Sequence, residues 1–156
     1  MRRPFVTAAL VFLAACSSLD PEVAVVPRGR LVLAVEPNPI VAAPLGGDQY
    51  ELKFDIVMRE EGGVGVRIEN FTVDAVAFGT VTVQTQTLPA KAITDRGYPA
   101  SVEAGKYLRF SFTKVWTLKT ELLLSGASAR VTANFVDENG VRGVTHVRVD
   151  VVRPPR

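Results

Sequence analysis

Residues 50–58 alternate without a break: Tyr50, Leu52, Phe54, Ile56 and Met58 are apolar, and Glu51, Lys53, Asp55 and Val57 stand between them. A period of two puts five large apolar side chains on one face and mostly charges on the other, the signature of a strand with one face buried. A helix would spread the same residues around its circumference. A strand of this kind is stable only when a second layer covers its apolar face, so this stretch commits the chain to a layered β architecture.

The pattern recurs along the chain. Val64, Val66 and Ile68 resume it after Arg59-Glu60-Glu61-Gly62-Gly63, so residues 50–68 read as a hairpin with a solvated turn at Glu60-Glu61. At Asn70 the phase slips and Phe71 and Val73 become the apolar positions, which predicts a bulge. Leu108, Phe110 and Phe112 alternate again, as do Ala129, Val131, Ala133 and Phe135. Asp137-Glu138-Asn139-Gly140 is a hairpin turn, with Asn-Gly supplying the positive φ values that tight turns need. The last strand then directs Thr145, Val147, Val149 and Val151 inward, with Val144 an apolar exception on the outer face. Phe54, Phe110 and Phe135 are the expected core aromatics.

Other stretches read less regularly. Residues 31–35 form a first strand that Glu36-Pro37-Asn38-Pro39 interrupts, as two prolines would at an edge, and residues 40–43 resume it. Residues 76–87 hold a Thr- and Gln-rich β run. Residues 88–105 are the longest irregular stretch, and residues 118–124 suit a helical turn or a strand. Seven or eight short strands with regular turn signals predict an all-β sandwich over residues 31–153. The ending, a strand, Asp-Glu-Asn-Gly and a Val-rich strand, resembles the final hairpin of bacterial immunoglobulin-like and fibronectin type III-like domains. That resemblance implies an immunoglobulin-like antiparallel β-sandwich of about seven to eight strands. The cysteine pair of antibody domains is absent, and Trp116 comes too late for their core tryptophan.

The front of the chain has a different grammar. Arg2 and Arg3 precede an apolar run over residues 5–13, and small residues Ala14 and Ala15 precede Cys16, the only cysteine. This is the plan of a secretory signal peptide. The run is far short of the ~20 residues a spanning helix needs. Leu13-Ala14-Ala15-Cys16 resembles the bacterial lipobox. The resemblance implies cleavage after residue 15 and a covalent lipid on Cys16, with Ser17, rather than Asp, pointing to the outer membrane. The plain alternative is an ordinary signal peptide that leaves a free thiol. Residues 16–30, with Pro21, Pro27 and Gly29, would be the tether of the lipidated chain.

Removing residues 1–15 takes away two arginines and no acid, leaving sixteen Lys and Arg against sixteen Asp and Glu. A neutral chain without a basic run gives nucleic-acid binding no support. One histidine, His146, and one cysteine cannot make a His/Cys metal site. The acids at 137–139 do not match the spacing of a calcium loop, and no helix follows Gly62-Gly63-Val64-Gly65 to receive a phosphate. No cofactor is expected beyond the lipid on Cys16. His146 is placed on an outer strand face and reads as a solvated residue. Tyr98, Tyr107 and Trp116 are the one aromatic grouping that suggests a surface, although core or rim packing explains them better.

The sequence therefore points to a membrane-anchored, non-catalytic envelope lipoprotein whose sandwich is a binding or structural module, with the membrane and an envelope protein or glycan as partners. A protease inhibitor or chaperone-like module presenting the 88–105 loop is the second reading. A small hydrolase is the third, and the shortage of His and Cys argues against it. Arg96 and Tyr98, on that loop, are the candidate binding residues, because binding groups are often carried on loops held by a rigid scaffold.

Overall fold

In a computed structural model, the described residues are 26–117 and 126–154. Cys16, the leader, most of the tether and the ambiguous stretch 118–124 lie outside them. The elements are β1 (Leu31–Glu36), β2 (Ile40–Gly46), β3 (Gln49–Glu60), β4 (Val66–Ala77), β5 (Val81–Pro89), α1 (Ala90–Thr94), β6 (Ser101–Val102), β7 (Tyr107–Thr117), β8 (Ser128–Asp137) and β9 (Arg142–Val152).

They form two facing layers. In the first, β3 is central, with β7 antiparallel on one side and β1 and β2 on the other. In the second the order is β5-β4-β8-β9, all antiparallel, with β6 added beside β4. A short parallel pairing of Ile40 with Val151 and Val41 with Val152 joins the layers along one side. Taking β1 and β2 as one broken strand, and setting aside the two-residue β6, this is a seven-stranded immunoglobulin-like sandwich. The break falls at residues 37–39 as the prolines predict, and both halves lie along β3: Leu31 faces Glu60, and further on Ala42 faces Leu52.

Alternation decides what is buried. Tyr50, Leu52, Ile56 and Met58 of β3 face Phe71, Val131 and Val149 of the other layer within one core. Phe110 and Phe71 meet edge to face across the layers, ring centroids 5.8 Å apart. Phe110 and Phe135 are buried, and Phe135 lies over Gly143, its register partner, where a Cβ would strike the ring. Phe54 is inward but half-buried, at the side of the core, stacked on Phe112 at 5.6 Å. The expected phase slip is a register shift between Ile68 and Asn70, bridged by Asn134 Nδ2 donating to Asn70 Oδ1 at 2.8 Å.

Three expectations are corrected. Residues 50–68 are not a hairpin: β3 and β4 belong to different layers, and the chain crosses between them. The reason lies at Glu60, which is not solvated but 1% exposed. Its carboxylate draws the turn inward by accepting the N–H groups of Gly62 and Gly63 at 2.6 and 3.0 Å. Residues 88–105 are not a free loop either. They comprise the end of β5, the single-turn α1 and β6, and Leu88, Ile93 and Val102 are buried.

Candidate functional site

The inner faces of the layers can be read as rows. On the first layer Ala42, Leu52 and Lys114 lie side by side across β2, β3 and β7. On the second layer Gln84, Ala75 and Ala129 do the same across β5, β4 and β8. Ala75 and Ala129 are small beside Val73, Val131 and Val149, so this part of the second layer is shallow. A cleft of about 220 Å³ results, floored by Leu52, Ile56, Ala75, Ala129 and Val151 and opening between β5 and β7.

The mouth of the cleft is polar. Lys114 occupies an inward register position between Phe112 and Trp116, and its Nζ reaches Gln86 Oε1 at 3.1 Å, from one edge strand to the other. This is how a lysine stays on an apolar face: the stem is covered and the ammonium emerges. Arg96 stands over the Phe112 ring, its Cζ 5.8 Å from the centroid. The neighbouring acid, Asp95, is paired with Lys91 at 2.8 Å. Among the described residues, neither Arg96 nor Lys114 makes an ion pair and no acid lines the cleft.

The two candidate binding residues thus differ. Arg96 is exposed at the cleft mouth. Tyr98 packs into the side of the core, its ring 4.9 Å from that of Phe110, and its Oη accepts the Ser111 N–H of the edge strand β7 at 3.3 Å. The expectation that Tyr98 is a free loop side chain is corrected by these contacts. Tyr98, Tyr107 and Trp116 are not brought together as one surface. Tyr107 and Trp116 stand nine residues apart on β7 and on opposite faces, and Tyr107 is solvent-exposed while Trp116 lines the cleft. His146 is exposed on the outer face of β9, in register with Thr132. No group of three potential metal ligands occurs among the described residues.

A second construction lies at the other end of the sandwich. Besides Gly62 and Gly63, Glu60 accepts the N–H groups of Arg30 at 3.0 Å and Gly105 at 2.9 Å. Asp137, also buried, accepts those of Gly29, Asn139 and Val141 at 2.8–2.9 Å. Consecutive N–H groups of the incoming chain are therefore taken by carboxylates of opposite layers. Asn139 Nδ2 adds a bond to Pro27 O at 3.0 Å. Residues 27–30, expected as the last part of the tether, are fastened to the domain. Burial pushes the Glu60 carboxyl up, but its four backbone donors outweigh this and hold it below the ordinary range. The Gly29 N–H leads the groups that lower Asp137 against its own burial.

Sequence reasoning missed Lys114, Gln84, Gln86 and the two buried carboxylates. The signal for Lys114 was present: Leu108, Phe110, Phe112, Lys114 and Trp116 continue one alternation, so the lysine falls on the inward face. The same signal marks Glu60, which follows Met58 in the inward phase of β3, but its burial depends on donors from residues 30 and 105.

No family model matches the chain, and no curated protein matches it. Among solved structures, the Bordetella pertussis protein described as ApaA is similar with a TM-score of 0.55 at 14% identity, over 84% of this chain and 99% of that one. The structural-genomics target SoR45 has a TM-score of 0.54 at 13% identity, over 82% of this chain and 88% of that one. The CARDB domain of PF1109 from Pyrococcus furiosus has a TM-score of 0.38 at 17% identity, over 83% and 99%. At these identities the first two likenesses show the fold alone.

Proposed function

We propose that this protein is a lipid-anchored, non-catalytic module of the bacterial cell envelope, held by Cys16, on the outer membrane of a Gram-negative cell, and that its sandwich binds a partner. The Leu13-Ala14-Ala15-Cys16 motif supports the anchor. The observation that carries the binding function is the cleft between the layers. It is a preformed, mostly apolar recess with two cations at its mouth. Recesses of mostly apolar lining with a few polar groups are where ligands bind. Residues 88–105 are packed down by Leu88, Ile93 and Val102, so the inhibitor reading loses the extended loop it relied on.

The anchor is tested with Cys16→Ser. In cells, the wild-type chain is expected in the membrane fraction, with a mature N-terminus whose mass carries acyl chains. The variant is expected to keep its leader and carry no lipid. A wild-type chain with a free thiol at Cys16 overturns the anchoring reading.

A further inference from the structure

We infer that the cleft between β5 and β7 binds a single-chain amphiphile with an anionic head, of the fatty-carboxylate class. This rests on the reading of the cleft as a binding site and names its ligand. The floor offers only aliphatic groups, with Ala75 and Ala129 leaving the room. An alkyl chain laid there removes apolar surface from water without disturbing a polar group. The head would then lie at the mouth, between the Arg96 guanidinium and the Lys114 ammonium. Among the described residues Lys114 has one hydrogen-bond contact, to Gln86 Oε1, and an ammonium has three N–H donors, so two remain for a carboxylate. Arg96 is held over Phe112, so little freedom is lost when it engages a head group. With no acid among the described lining residues, a cationic head would meet the two like charges of Arg96 and Lys114.

Size narrows the class further. At about 220 Å³ the cleft is smaller than the roughly 300–1,000 Å³ of drug-sized pockets. It suits one alkyl chain with a compact head rather than a two-chain lipid.

Trp116 is the only tryptophan in the chain and lines the cleft, so its fluorescence reports occupancy directly. The full chain carrying Cys16→Ser, which has no covalent lipid to compete, is titrated with decanoate below its micelle concentration, and in parallel with decyltrimethylammonium. Decanoate is expected to shift Trp116 emission saturably, and the cation of equal tail length to leave it unchanged. Lys114→Gln and Arg96→Gln should each weaken decanoate about tenfold, the value of one lost charge-assisted contact. Ala75→Leu should fill the recess and abolish binding without lowering the melting temperature, and if it does destabilise the fold, Ala129→Val serves the same purpose. A flat decanoate titration, an equal response to the cation, or undiminished binding in Lys114→Gln overturns the proposal. The flat result, with acylated Cys16 found by mass spectrometry, would remove the ligand and leave the anchored module standing.

Discussion

Glu60 shows how a single residue reverses its sequence reading. Next to Glu61 and two glycines it looks solvated, yet four backbone N–H groups make its burial favourable, and the amide of a glutamine cannot replace them all. Glu60→Gln is expected to lower stability by about 1–3 kcal/mol, measured by urea unfolding at pH 7. The pH dependence follows from the same bonds. Carboxyls held below their ordinary value stabilise the fold above about pH 4, and that stability is lost as pH falls through the depressed values. Glu60→Gln should therefore reduce the acid-side loss without removing it, because Asp137 still titrates. Arg96 and Tyr98 give the opposite contrast within one segment. Tyr98→Ala should destabilise by about 1–3 kcal/mol through lost packing on Phe110, whereas Arg96→Ala should stay within about 0.5 kcal/mol. Equal effects at the two positions in thermal unfolding would contradict the packing described for Tyr98.

At the scale of elements, what was legible in the sequence followed from period two. The alternation in residues 50–58 is β3, the slip at Asn70 is a bulge, and Asp137–Gly140 is a turn, because each depends on neighbours a few residues away. Which strands share a layer was not legible. The crossing from β3 to β4 depends on Glu60 meeting residues 30 and 105, and residues 88–105 depend on Leu88, Ile93 and Val102 finding a core built elsewhere. Lys114 was legible in principle, but a lysine on an inward face only makes sense once the open side of the sandwich is known. The bulge gives an element-scale test. Deleting Glu69 removes the extra residue between Ile68 and Asn70, so one flank of β4 must present its apolar side chains to water. The deletion variant is expected not to fold, by circular dichroism at 25 °C, and a native melting curve would show that the bulge does not set the register.

At the scale of the whole molecule, the incoming chain and the cleft lie in opposite halves of the sandwich. Gly29 and Arg30 are fastened where β3 and β8 finish, at Glu60 and Asp137, while the cleft is lined by residues nearer the other ends of those strands, such as Leu52 and Ala129. The incoming chain therefore acts as a stitch through the spine of a two-leaved book. The β2–β9 pairing at Ile40 and Val151 joins the leaves again beside the cleft, so they are held at both ends and can part only along the open side, between β5 and β7. Any breathing of the sandwich is thus delivered where a ligand would enter. Protonating the two carboxylates would cut the stitch and leave the β2–β9 pairing to hold the leaves from the far end.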